Sequence, residues 1–234
     1  MKTFKQTVCI LLAVPSVLLL LSGCSSASKP FTVQIAKIKK AKGAEIMILL
    51  IDACVREASR TRRLALRLLD ALGGAYKQVL LEKCPFPKVD EAFIQKRDRL
   101  LQEGELADEV FGYARQFVQA DAIVIAAPFW DLSFPAALKT YFEQINVVGI
   151  TFRYTPEGVP QGMCRAKKLY YVTTAGGDFF PEEYGFGYVR ALAQNFYGIE
   201  TVELIKAVGL DIEGAPVEEI LRECEEEIER RFRK

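Results

Sequence analysis

Two stretches of this chain are apolar without a break: Ile46-Met47-Ile48-Leu49-Leu50-Ile51, and Ala122-Ile123-Val124-Ile125-Ala126-Ala127 between Asp121 and Pro128. A strand with one wet face alternates apolar and polar residues. A run that does not alternate has to be covered on both faces. Each run is short, and each is followed by residues spaced for a helix. After the first, Leu64, Leu68, Leu69 and Leu72 fall on one helical face from Ser59 onward, and Gly73-Gly74 ends the segment. Strands buried on both sides and alternating with helices call for an α/β domain with a parallel sheet and right-handed crossovers.

The rest of the chain repeats the pattern. Lys77–Glu82, Lys167–Gly177 and Thr201–Gly209 supply three more strands beside the two runs, the second of which spans Asp121–Pro128. Helices are expected within 84–104, over Glu105–Gln119 and Pro135–Asn146, over Gly185–Tyr197, and over the charged closing segment Pro216–Arg233. Gly149–Gly162 reads as a small hairpin or flap with its turn at Pro156-Glu157-Gly158. Five strands suit a flavodoxin-like three-layer sandwich with sheet order 2-1-3-4-5. In such sheets ligands bind at the carboxyl ends of the strands, so the loops after strands one, three and four are the ones to inspect.

Ahead of this domain, residues 1–46 form a separate unit. A lysine-bearing start, an apolar run from Val8 to Leu21 and the ending Leu21-Ser22-Gly23-Cys24 follow the layout of a secretory signal that resembles the bacterial lipobox. That resemblance implies a lipid on Cys24 and anchorage to a membrane, with a polar, lysine-rich tether leading to a domain over 47–234. The alternative is translation from Met47, where the domain pattern begins, which makes the protein cytoplasmic.

Composition removes several chemistries. The 234 residues include no histidine, so serine–histidine and cysteine–histidine catalysis are excluded and the commonest metal ligand is missing. The six cysteines form no C-x-x-C pair, and no metal site is expected. A net charge of +1 gives no reason to expect nucleic acid.

Three loops remain. After strand one, Ser59 can cap the helix and, with Thr61, offer hydroxyls to an anion at the helix N-terminus, while Arg56 or Arg60 could add charge. After strand three, Pro128 leads into Phe129 and Trp130, large aromatics where a loop is ordinarily polar, with Asp131 and Ser133 placed to cap the next helix. After strand four, Gly176-Gly177 lets backbone approach a ligand. No P-loop or G-x-G-x-x-G is present. A flat ring with a phosphate tail satisfies all three loops, and flavin mononucleotide (FMN) has that shape.

The segments "ILLIDACVREASRTRRL", "APFWDLSFPAALKTYFEQINVVGITFRYTPEG" and "KKLYYVTTAGGDF" resemble the FMN-dependent NAD(P)H azoreductase and quinone reductase family, from Met47 to the C-terminus. The most specific element is Gly149–Tyr154, matching G-[IV]-T-F-[RK]-Y. The resemblance implies that Ser59, the Arg60 backbone and Thr61 hold the FMN phosphate. Pro128, Phe129, Trp130, Asp131 and Leu132 line the ring, and Thr174, Gly176 and Gly177 meet its pyrimidine side. Phe152 of the flap stacks near substrate. It further implies a homodimer, NADH or NADPH as donor, and a quinone or azo compound as acceptor. A flavin-binding lipoprotein that relays electrons without NAD(P)H turnover is the alternative. The chain departs from the family pattern at Asp131, where many relatives have asparagine, at Phe179, where some have histidine, and at Cys54 and Arg56.

Overall fold

Strand β1 (Met47–Asp52) lies inside a parallel sheet between β2 (Ala75–Leu80) and β3 (Ala122–Ala126), and beyond β3 come β6 (Lys168–Thr174) and β7 (Thr201–Ala207). The order β2-β1-β3-β6-β7 is the expected 2-1-3-4-5 once the separate antiparallel pair β4 (Phe152–Tyr154) and β5 (Pro160–Gly162) is set aside. The computed structural model describes residues 46–233, which fall in one compact unit. The signal, Cys24 and the tether lie outside the described residues.

The unbroken apolar runs acquire their meaning here. Leu49, Ile51, Ile123, Ile125, Leu169 and Tyr171 point to one face, and Ile48, Leu50, Val124, Ala126, Tyr170 and Val172 to the other. The first face is covered by α3 (Gly112–Gln119), α4 (Ala136–Ile145) and α5 (Gly185–Leu192), through Phe117, Leu138, Tyr141 and Val189. The second is covered by α1 (Arg60–Leu72) and α6 (Val217–Phe232), through Leu64, Leu68, Leu221 and Ile228. Each fully buried leucine or isoleucine contributes about 1.5–3 kcal/mol against exposure. Helix α2 (Glu91–Glu103) sits on the first side, where Leu100 joins the core.

Some boundaries moved. β2 starts two residues earlier than Lys77 because Gly73 and Gly74, both at positive φ, return the chain to the sheet at once. The helix expected over Glu105–Gln119 is confined to α3, because Asp108 caps a short 3-10 turn at 109–111. Neither Asp131 nor Ser133 caps α4; Pro135 holds that position, with no side-chain bond.

Candidate functional site

β1 ends on Asp52, a carboxylate with 0% exposure. A buried charge is tolerated only when paired and hydrogen-bonded. Asp52 Oδ1 accepts from the Cys54 N–H at 2.9 Å; Oδ2 accepts from Arg62 Nε at 2.6 Å and Gln78 Nε2 at 2.8 Å. The bond to Asp52 is also the chief reason that Arg62 is held above its ordinary pKa. The rest of the Arg62 guanidinium donates to the carbonyls of Cys54 (2.7 Å), Arg56 (2.9 Å) and Glu57 (3.2 Å). Ser59 is the N-cap of α1, as expected, its Oγ accepting from Arg62 N at 3.3 Å. The Arg60 side chain turns to the segment after β7, where Nη1 donates to Asp211 Oδ1 (2.7 Å) and Leu210 O (3.3 Å). Its charge is therefore shared with a carboxylate, which leaves its backbone N–H as the group expected to serve an anion. Cys54 packs beneath this loop, and burial pushes its thiol up to about 12.

The three loops meet at Thr174. Its Oγ1 lies 2.6 Å from Thr61 Oγ1, tying the start of α1 to the end of β6. Its carbonyl accepts from Phe129 N at 2.9 Å, tying in the loop after β3. Thr61 itself is buried, so its hydroxyl joins the loops rather than facing solvent. Beyond Pro128, the Phe129 ring leans on Phe180 with centroids 4.7 Å apart. Trp130 and Leu132 are 43% and 45% exposed, separated by Asp131 in a tight turn whose two central residues, Asp131 (φ 50°) and Leu132 (φ 66°), both have positive φ. A β-carbon on Gly176 would overlap the Asp211 carboxylate, so this glycine admits a neighbouring side chain of the same protein. Gly177 is open by comparison, its nearest neighbour being Phe179 N at 4.0 Å.

The flap forms where expected, but Phe152 does not present its ring outward. It is 5% exposed and packs edge-on against Phe196 (4.9 Å) and Tyr154 (5.6 Å), because β4 points this residue toward the α5 side of the domain. Tyr154, 52% exposed, is the flap's outward aromatic. Thr151 explains a second position of the motif: its buried hydroxyl donates to Ile145 O at 2.7 Å and accepts from Val147 N at 3.2 Å, closing the turn after α4.

The structure thus brings Ser59, Arg60, Thr61, Phe129, Thr174 and the 175–177 turn together, and sets Phe152 in the core. Sequence reasoning missed Asp52, Arg62 and Asp211. An aspartate closing an apolar strand, with an arginine ten residues on, was the available signal for the first pair. A cleft of about 1000 Å³ lies elsewhere, between α2, α3 and Pro85, and none of the expected site residues lines it.

A sequence profile of the flavodoxin-like fold family matches residues 47–232. A Clostridium perfringens protein named FMN-dependent NADH:quinone oxidoreductase is 44% identical over 118 residues, which are 50% of this chain and 59% of the relative. The chain therefore matches about three fifths of that relative's length. A protein of the same name from Coprothermobacter proteolyticus is 34% identical over 183 residues, 74% of this chain and 90% of the relative. Among solved structures, an azoreductase from Bacillus anthracis superposes with a TM-score of 0.68 at 26% identity, over 79% of this chain and 97% of that one.

Proposed function

The chain belongs to the flavodoxin-like fold family, and from that premise we propose that it is an FMN-dependent NAD(P)H oxidoreductase acting on quinones or azo compounds. The observation that carries the reading is the junction at Thr174, which gathers the loops after β1, β3 and β6 at one end of the sheet.

The residues present fit FMN. Ser59, a hydroxyl that can accept from Arg62 N and still donate, stands at the helix N-terminus with the Arg60 and Thr61 N–H groups, where an anion is favoured. Trp130 and Leu132 offer exposed apolar surface for a ring, beside Pro128 and Phe129. Gly177 leaves room for close approach at the turn that follows Thr174. Bound FMN supplies the two-electron chemistry between donor and acceptor. The chain binds and orients it, and the apolar side chains keep water from the ring. With no histidine, protons for the acceptor come from water. NADH is the proposed donor, by the names of the two oxidoreductase relatives.

The same reading includes a homodimer. Trp130, Leu132, Phe179 and Tyr184 are exposed apolar residues of the loops after β3 and β6, and surface of this kind favours a partner. It also includes a lipid anchor at Cys24, supported by Leu21-Ser22-Gly23-Cys24, with a cytoplasmic product if translation starts at Met47.

The test is to mix the purified protein with FMN without oxygen and add NADH or NADPH. Rapid loss of the yellow flavin absorbance, restored by a quinone, is expected. Yellow protein that does not bleach supports the anchored electron carrier instead. Protein that takes up no FMN sinks both readings.

A further inference from the structure

The loop from Ala53 to Ala58 has no regular structure, yet three of its carbonyls converge on one cation. Cys54 O, Arg56 O and Glu57 O all accept from the Arg62 guanidinium, at 2.7, 2.9 and 3.2 Å. Every described peptide bond is trans, and in a trans peptide the carbonyl of one residue and the N–H of the next point in opposite directions. Turning those carbonyls inward therefore turns the N–H groups of Val55, Glu57 and Ala58 outward. Residues 55–58 are exposed, and none of these three N–H groups has a protein acceptor among the described residues. They stand just ahead of the α1 N-terminus, where the first helical N–H groups are also unsatisfied. Outward N–H groups beside a helix N-terminus are donors that an anion can meet without displacing a protein partner.

We propose that Arg62 is a positioning residue for the phosphate of the cofactor: it never touches the phosphate, but fixes the loop whose N–H groups do. The inference rests on the FMN reading above. The chemistry of the guanidinium suits the task. Its planar fork serves four protein acceptors at once, with Asp52 Oδ2 as the fourth at 2.6 Å, and Asp52 holds it at 18% side-chain exposure. The cation is thus committed to the protein, and a phosphate meets the backbone instead. An ammonium in its place can neutralise Asp52 but cannot span three separate carbonyls.

The experiment measures binding of FMN and of riboflavin, which lacks the phosphate, to the full-length protein and to Arg62→Lys. A general loss of structure weakens both ligands alike; a slackened phosphate loop weakens FMN alone. We expect Arg62→Lys to bind FMN about tenfold more weakly while riboflavin affinity changes by less than about twofold. Inorganic phosphate, as a competitor of FMN, loses potency in parallel. If Arg62→Lys does not fold, Asp52→Asn/Arg62→Gln removes the buried charge pair together and is read the same way. Equal weakening of both ligands, or unchanged FMN affinity, overturns the proposal while leaving the FMN reading intact. Failure of the unaltered protein to favour FMN over riboflavin overturns both.

Discussion

Trp130 and Ser133 exchange both backbone hydrogen bonds, Trp130 N to Ser133 O at 3.1 Å and Ser133 N to Trp130 O at 2.8 Å. The two residues between them close the turn with φ of 50° and 66°. That is the backbone of a type I′ turn, which normally takes Asn-Gly or Gly-Gly. Aspartate tolerates such a conformation; leucine pays roughly 1–2 kcal/mol for it. Strain of this kind persists where it serves a site, and here it displays Leu132 beside Trp130. Leu132→Gly should therefore make the protein about 1 kcal/mol more stable to denaturant, since little buried surface is lost from a half-exposed side chain. The same change should weaken FMN binding. A variant both less stable and equally tight for FMN would show that the turn is not held for the ring.

The turn also bears on Asp131, which caps nothing. A carboxylate near the ring opposes added negative charge on reduction. Asp131→Asn keeps the backbone preference and removes the charge, so the midpoint potential of bound FMN should rise by about 20 mV, equivalent to roughly 1 kcal/mol for a two-electron couple. Spectroelectrochemistry of the two proteins measures this. An unchanged potential means that the carboxylate points into solvent.

The sheet order was readable because it depends on apolar runs that no wet strand can carry, and Ser59 was readable because a hydroxyl before a helix has one common use. The type I′ turn was not, because its usual signal is a glycine and neither Asp131 nor Leu132 supplies it. Arg62 was hidden among the four arginines of the same stretch, Arg56, Arg60, Arg62 and Arg63; only the fold decides that Arg60 turns to Asp211 while Arg62 turns to Asp52. The direction of the Phe152 ring was not readable, because a flap residue can point to either face and a strand of three residues gives no periodicity to choose between them.

Gly176 and Asp211 make a matched pair. The Asp211 N–H donates to Gly176 O at 2.9 Å, and its carboxylate fills the space a β-carbon at Gly176 would occupy while holding Arg60. Gly176→Ala must displace that carboxylate and is expected to cost about 1–2 kcal/mol by overpacking. Asp211→Ala alone should cost less than about 1 kcal/mol, since the ion pair is largely exposed. In the double variant the clash has no partner, so the two losses should fall short of adding. Urea titrations of the four proteins give the coupling; strict additivity would mean that the two residues do not compete for space.

Cys54 links the site to pH. Burial is the largest cause raising its thiol from 9.0 to about 12, and it has 1% exposure. The folded state therefore keeps its proton at a pH where the unfolded chain releases it. The contribution is fully present below pH 9.0 and is lost progressively as pH rises toward about 12. In that window this one group costs on the order of 1 kcal/mol of stability per pH unit. Unfolding free energies at pH 8 and pH 10 should thus differ by about 1 kcal/mol more in the native protein than in Cys54→Ala, which has nothing to ionise. Cys164, also pushed up to about 12 by burial, remains in both proteins and cancels from the comparison. The same burial should leave Cys54 unalkylated by iodoacetamide at pH 8 until the protein is unfolded, because the thiolate is the reactive form. Rapid labelling of the folded protein at Cys54 would mean that the loop ahead of α1 opens readily, and that Arg62 does not hold it shut.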